Sequence, residues 1–530
     1  MCITRLSPLP STTTCKSAQA QGLFVLSLFR DTLPPEILAE IFKSGSAGNP
    51  RFLKNASQVC AQWRAAALDP DLWTDISVAF FMRDVVRWTS LCLERSKSCL
   101  FDVSLQVPDE TTNLELITEL MLLFVRHAQR LRRLYITGAT AGVRINPAEA
   151  FALLENAQRA PHLSVLELVW DNPSQAIDMA PPRDGILIYT PALTSLRLHG
   201  VPSPVPFVGL RSLDIQGLRT SYADFRDMVT ASPLLTTLIL PKLRLLTDTK
   251  ATSHTLPPIA IPSLKSLALS FANPPPSEQF NPCHNLLSLL QIPNVEYLEL
   301  VGGIMPDLAE SLQKPGAFGK LRTLRLVGMT FVARRGSGEV DNALYIRELS
   351  SIEELHLIQS YAEYLLPLSA PEDKIHSRSS ASASGRPRRL SITFRNEASL
   401  VAMRHKMLPI GLYIGSIHQP VPEVTHCDVF PNLRCIALDT LMASDAVWLY
   451  KLLGERPGVT SVKLSALAER HFVQSLGTGP DGSLHRLPWR TDSMDFVQRT
   501  PVDASKLLRE RVQVSVQNIG AHGLIPWQGP

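Results

Sequence analysis

The sequence predicts a mixed α/β chain: a small all-helical module near the front, followed by a long array of strand-and-return units sharing a parallel sheet. Three observations carry this reading. Residues 33–42 and 59–73 each hold apolar residues at helical spacing, with prolines at the boundaries. From residue 131 onward, an apolar triplet at positions i, i+3 and i+5 recurs at roughly 25 to 32 residues, often just after a proline. The chain has 530 residues, 45% hydrophobic and 19% charged, which describes folded material too long for one ordinary core.

Residues 1–30 are Ser/Thr-rich, then apolar over Gly22–Phe29. That run is too short to span a bilayer and is followed by Arg30-Asp31 rather than a cleavage site, so it reads as a disordered leader. Next comes Leu33-Pro34-Pro35-Glu36-Ile37-Leu38-Ala39-Glu40-Ile41-Phe42. A proline at the first helical position costs nothing, because that N–H has no helical partner. Ile37, Leu38, Ile41 and Phe42 are expected on one side of this helix. Val59, Trp63 and Ala67, four residues apart, form a second stripe. The loop Lys43–Asn55 joins the two. About forty residues bury too little for an ample core, so the module is expected to finish its burial against a partner.

These residues resemble an F-box. Leu33, Pro34, Glu36, Ile37, Leu38, Ile41 and Phe42 match the opening of that family's pattern. Val59, Cys60, Trp63, Arg64, Leu68, Pro70, Leu72 and Trp73 match its close, in a form common in mushroom-type fungi. Trp88–Ser98 is similar to the segment that trails such modules. The resemblance implies an F-box-like domain over residues 31–77 that docks a Skp-type adaptor and, through it, a cullin. The implied contact residues are Leu33, Pro34, Ile37, Leu38, Ile41, Phe42, Val59, Trp63 and Trp73.

Residues 78–130 read as connecting helices and strand, with Leu116, Leu120, Leu123 and Phe124 on one helical face. The triplets then run Leu131/Leu134/Ile136, Leu163/Leu166/Leu168, Leu193/Leu196/Leu198, Leu210/Leu213/Ile215, Leu235/Leu238/Leu240 and Leu264/Leu267/Leu269. They continue as Val295/Leu298/Leu300, Leu321/Leu324/Leu326, Ile352/Leu355/Leu357, Leu433/Ile436/Leu438 and Val459/Val462/Leu464, with a degenerate copy at Leu390/Ile392. Period and pattern read as degenerate leucine-rich repeats over residues 131–470, a curved solenoid with a parallel concave sheet. Asn146-Pro147-Ala148-Glu149 and Ser221-Tyr222-Ala223-Asp224 open return helices by their capping residues. The asparagine that usually follows the last leucine is missing, its positions held by Asp171, Val201, Leu218, Leu243, Gly303, Met329 and Ser360. Residues 369–389, rich in Ser and Arg, read as a disordered insertion, and 471–530 as a terminal cap or tail containing Val512, Val514 and Val516.

No catalytic chemistry stands out. Gly477-Thr478-Gly479-Pro480-Asp481-Gly482 matches G-x-G-x-x-G, but Pro480 removes a phosphate donor and no helix is expected to follow. Thirteen histidines lack ligand spacing, and eight cysteines form neither a zinc module nor a disulfide framework, which fits a reducing compartment. Cys60 reads as a small buried residue on a packed helix. No catalytic residue, cofactor or metal is expected. A net charge of +4 implies no strong field for nucleic acid.

The residues just before the second and third apolar positions should line the concave face. They include four Lys/Arg (133, 197, 325, 463) and four Asp/Glu (167, 214, 299, 354), a mixed set suited to a protein surface. Tyr297, Glu299, Thr323 and Arg325, near the middle of the array, are the expected substrate contacts. The function expected is a non-catalytic substrate-receptor subunit of an SCF-type ubiquitin ligase in the cytoplasm or nucleus. Its partners would be an adaptor, a cullin and an unknown protein substrate, with no nucleic acid and no membrane. The alternative is a repeat scaffold not assembled into a ligase.

Overall fold

The computed structural model describes residues 33–46, 52–79, 84–107, 114–138, 160–170, 190–199, 208–241, 244–246, 256–271, 283–302, 311–312, 318–329, 349–360, 430–439, 449, 452–469, 476–478, 484–486, 500–501, 509 and 512–516. The expected leader (1–30), the insertion (369–389), the copy at Leu390/Ile392 and the helix read from Asn146 lie outside these residues. The chain divides into two compact units, residues 1–210 and 211–530.

Among the described residues the first unit begins with three short helices, α1 (Pro35–Ser46), α2 (Phe52–Ala56) and α3 (Ala61–Ala67), closed by a 3₁₀ turn at Pro70–Trp73. Strand β1 (Asp75–Ala79) follows at once. Then come α4 (Val85–Arg95), β2 (Phe101–Val107), α5 (Leu114–Arg126), β3 (Leu131–Gly138), β4 (Val165–Trp170) and β5 (Ser195–His199). The five strands pair in parallel and in chain order. A parallel pair cannot be closed by a hairpin, so each needs a crossover, and α4 and α5 supply the first two. The parallel sheet therefore begins at Asp75, well before the first leucine triplet. Ile76 and Val78 in β1 and Val103 and Leu105 in β2 hold the inward positions, each at most 1% exposed.

Among the described residues the second unit sets nine strands side by side, again parallel and in chain order. They are Ser212–Ile215, Thr237–Pro241, Ser266–Ser270, Tyr297–Val301, Thr323–Val327, Glu354–Ile358, Cys435–Leu438, Ser461–Leu464 and Gln513–Val516. The leucines of the described triplets are buried. A return helix, α6 (Tyr222–Thr230), starts where the capping residues place it: the Ser221 hydroxyl accepts the Asp224 N–H at 3.1 Å. Phe225, Met228 and Val229 turn inward from it. A second, α7, covers Cys283–Leu289. The alternating Val514/Val516 segment joins the main sheet beside Ser461–Leu464.

The prolines before the triplets have a structural reason. The N–H groups of Leu163, Leu193, Leu235, Leu264, Val295, Leu433 and Val459 each donate to the carbonyl three residues back. Each bond closes a tight turn whose second residue is Pro161, Pro191, Pro233, Pro262, Pro293, Pro431 or Pro457. Proline presets φ at that position. Every such strand thus enters the sheet from the same preformed corner.

The stitching usually done by asparagine after the strand occurs here mostly before it. Ser263 Oγ donates to the Leu235 carbonyl at 2.9 Å and Asn294 Nδ2 to that of Pro262 at 2.7 Å. Ser351 Oγ reaches Leu321 O at 2.7 Å, and Asn432 Nδ2 reaches Ser350 O at 3.0 Å. At strand exit, Gly217, Gly302 and Gly328 adopt positive φ and send their N–H groups to the last residue of the next strand. Among the described residues Ser360 does the work expected of the missing asparagine, its hydroxyl accepting the Met329 N–H at 3.1 Å.

The two exit glycines at Gly302 and Gly328 should respond differently to substitution. A Cβ at Gly302 (φ +69°) would sit 3.0 Å from the Phe271 carbonyl, whereas one at Gly328 (φ +59°) meets open space. Gly328→Ala should lose about 1 kcal/mol, the cost of a left-handed alanine, and Gly302→Ala measurably more. Denaturant unfolding of the two variants gives the comparison, and equal losses would remove the crowding argument.

Candidate functional site

Helix α1 carries two apolar stripes, Leu38/Phe42 and Ile37/Ile41, offset by one residue and hence about 100° around the helix. A short helix packed against two others can bury only one. The structure buries Leu38 (1% exposed) and Phe42 (0%), together with Leu53, Ala56, Ala66 and Ala67. The Phe42 ring takes the edge of Trp63 at 5.2 Å and of Phe52 at 6.1 Å. Ile37 and Ile41 are left in solvent at 48% and 46% exposure. The expectation that all four share one side is corrected accordingly.

The same division runs through the rest of the expected adaptor-contact set. Pro34 and Val59 are exposed; Leu33 and Trp63 are half-buried. Leu33 is held by its own carbonyl, which accepts Gln62 Nε2 at 3.0 Å. Trp73 is fully buried, its Nε1 donating to Ala67 O at 2.8 Å, and cannot offer a surface. Leu38, Phe42 and Trp73 therefore hold the domain together, and the groups presented outward are Pro34, Ile37, Ile41 and Val59. Leu68, which closes α3 and is 45% exposed, joins them. It belongs to the sequence motif but not to the contact set read from it; its place at a helix end, next to Ala67 facing inward, is the signal.

Cys60 is not on a helix. Its backbone is extended, and its Sγ accepts the Trp63 N–H at 3.4 Å, so the thiol caps α3. Val59 lies in the turn before that cap, which is why it escapes burial.

The helical module is tied directly to the first strands of its unit. Trp73 lies 5.8 Å from Trp88 of α4, and the Arg95 guanidinium sits 4.4 Å above the Trp73 ring. Arg130 closes the other end of α4. Its guanidinium donates to the carbonyls of Leu93 at 3.0 Å and Cys99 at 3.3 Å, to that of Lys97 and to Ser96 Oγ, and lies 5.3 Å from the Phe101 ring. A cation there meets the negative end of the helix dipole.

In the second unit the expected substrate contacts are arranged differently from the sequence reading. Glu299 is fully buried, and Arg325 retains only 12% side-chain exposure. Tyr297 donates its hydroxyl to Glu299 Oε2 at 2.9 Å, and Arg325 Nε lies 3.3 Å from Glu299 Oε1. Burial first, then the Glu299 charge, pushes the Tyr297 phenol far above its ordinary range. These three form an internal strut across two strands, and Thr323 beside them is half-buried. The reason is visible in the neighbours: Ile239, Ala268, Val327, Ile358 and Ala437, all on the leucine-free face, are at most 5% exposed. That face is covered toward the strand ends, so alternation alone misplaces solvent.

Beyond the strut, Glu354 accepts from Lys463, across the intervening Cys435–Leu438 strand, and lies 3.0 Å from His356 Nε2. The small Ala437, paired with both His356 and Lys463 in the ladder, leaves room for that reach. The hydrogen bond from His356, then that from Lys463, outweigh burial and hold the Glu354 carboxyl down at about 2. In the first unit Arg197 and Glu167 make a looser pair at 3.8 Å.

Of the dinucleotide-like run, Gly477 and Thr478 lie in the strand Leu476–Thr478 and residues 479–482 lie outside the described residues; that strand pairs antiparallel with Leu484–Arg486, so a strand rather than a helix N-terminus is the next described element. Among the described residues no group of three His, Cys, Asp or Glu could hold a metal ion, and no helix is long and apolar enough to cross a membrane.

Two predictions follow from these placements. Leu38→Ala and Phe42→Ala should each cost about 2–5 kcal/mol of stability, while Ile37→Ala and Ile41→Ala should stay within about 0.5 kcal/mol. Urea unfolding of the isolated variants tests this, and a large loss at Ile37 would place it in the core. Because folding depresses the Glu354 pKa from 4.5, its contribution is complete above about pH 4.5 and fades as the pH falls toward 2. The stability gap between the parent and Glu354→Gln, measured at pH 7, 4 and 2.5, should narrow in that order.

Comparison with known proteins marks the helical module. No curated protein matches the chain at a significant level. The F-box-like family model matches residues 31–79, from just ahead of α1 to the end of β1, so this stretch is an F-box-like domain.

Proposed function

We propose that this chain is the substrate-receptor subunit of an SCF-type cullin–RING ubiquitin ligase. The F-box-like domain docks a Skp-type adaptor, which links it to a cullin, and the strand array, a degenerate leucine-rich-repeat solenoid, holds a target protein for ubiquitin transfer. F-box domains in general bind Skp-type adaptors and serve as non-catalytic substrate adaptors. One observation carries the reading to this chain. In the stretch that matches the F-box-like model, Pro34, Ile37, Ile41, Val59 and Leu68 are left exposed although the same helices possess a well-packed core. Large aliphatic groups leave water when a partner covers them, at about 25 cal/mol per Å². On this reading the protein performs no bond chemistry; it binds two partners and leaves the transfer to other subunits.

The experiment is capture from gentle lysate, comparing the parent with Ile37→Asp/Ile41→Asp. The parent should bring down a Skp-type adaptor and a cullin in stoichiometric amounts. The double variant, both of whose sites are exposed, should keep its circular dichroism and lose adaptor affinity by about 2 kcal/mol or more. Equal capture by parent and variant, or none by the parent, overturns the docking assignment and leaves the scaffold reading.

A further inference from the structure

Immediately ahead of the strands of the second unit, a row of residues is largely open to solvent. It consists of the residue that follows the first apolar position of each triplet. Arg211, Lys265, Glu296, Arg322 and Arg434 are exposed there and Glu353 is half-buried.

The backbone stacks these residues without offset. The Lys265, Glu296, Arg322, Glu353 and Arg434 N–H groups donate in turn to the carbonyls of Thr236, Lys265, Glu296, Arg322 and Glu353 at 2.8–2.9 Å. Along five adjacent strands the charges therefore alternate: Lys265 positive, Glu296 negative, Arg322 positive, Glu353 negative, Arg434 positive. Lys265 and Glu296 approach only to 3.8 Å, with side chains 62% and 48% exposed, so the pair holds neither group tightly. With Arg211, the entry row carries four cations against two anions.

The spacing selects a partner conformation. Strands lie about 4.8 Å apart, so like charges recur at about 9.6 Å across the sheet. Three residues of polyproline II rise about 9.3 Å, whereas two residues of an extended strand rise about 6.7 Å and one helical turn 5.4 Å. Resting on the reading of the second unit as a target-binding array, we propose that this entry row docks an extended polyproline II segment of the target. Its acidic residues, at every third position, face Lys265, Arg322 and Arg434. Glu296 and Glu353 lie opposite the intervening positions and reject a segment with contiguous acids. Prolines between the acidic residues preset the conformation and reduce the ordering cost of binding.

The probe is a fluorescein-labelled peptide of three Asp-Pro-Pro repeats, titrated with the full chain at low ionic strength and followed by anisotropy. Its comparator has the same composition with the three aspartates contiguous. The repeat peptide should bind about tenfold more tightly than the comparator, and added salt should weaken it. Arg322→Glu, an exposed change that should leave the circular dichroism unaltered, should lose about tenfold, and Glu296→Gln should not weaken binding. Equal affinity for the two peptides, no effect of Arg322→Glu, or no binding at all overturns the proposal. Adaptor capture measured on the same samples separates the two readings. Capture without peptide binding removes this inference alone, and peptide binding without capture removes the ligase assignment alone.

Discussion

The architecture rests on one constraint, the unshifted parallel register of neighbouring strands. In the second unit each strand from Thr237–Pro241 to Ser461–Leu464 pairs residue for residue with the next, with leucine, isoleucine or valine stacked on its counterpart. A slip of one residue would turn every leucine to the other face, so burial of the leucines enforces the register. The proline corners and the Ser/Asn stitches at strand entry then cost little, because they repeat a geometry the sheet already demands. That register also stacks the entry-row charges and places Glu354 within reach of Lys463 across a strand, although 109 residues separate them in sequence.

The helical module obeys a different limit. It is small, and its core is filled by one stripe of α1 together with short segments of α2, α3 and the Pro70–Trp73 turn. What remains of the apolar motif has nowhere to go within the domain. The exposed Ile37 and Ile41 are a consequence of that geometry, and the proposed adaptor contact uses them. The domain leads into β1 with no intervening linker, and Trp73, Arg95 and Arg130 fasten the helices around that join.

Much of this was legible in the sequence, for identifiable reasons. The triplets mark strands because burial of leucine and parallel pairing impose the same spacing, and Ser221–Asp224 marks a helix start because capping is local chemistry. Strand β1 was hidden, and β2 was legible only as a connecting strand, because Ile76/Val78 and Val103/Leu105 fill the inward positions without a leucine triplet. The contact set around Tyr297 was misread because alternation reports which face a residue occupies, not what covers that face. Glu299, an acid in an apparently open position, is buried with Tyr297 and Arg325 as its partners. The helical motif showed which residues matter but could not divide them, since Ile37 and Leu38 differ only by one step around α1.

The most direct test of the central claim is amide hydrogen exchange of the full chain with and without a purified Skp-type adaptor. The account predicts slowed exchange confined to residues 34–41 and 57–68, with the strands from Thr237 to Val301 unchanged. Unchanged exchange at α1, or protection centred on those strands instead, would contradict it.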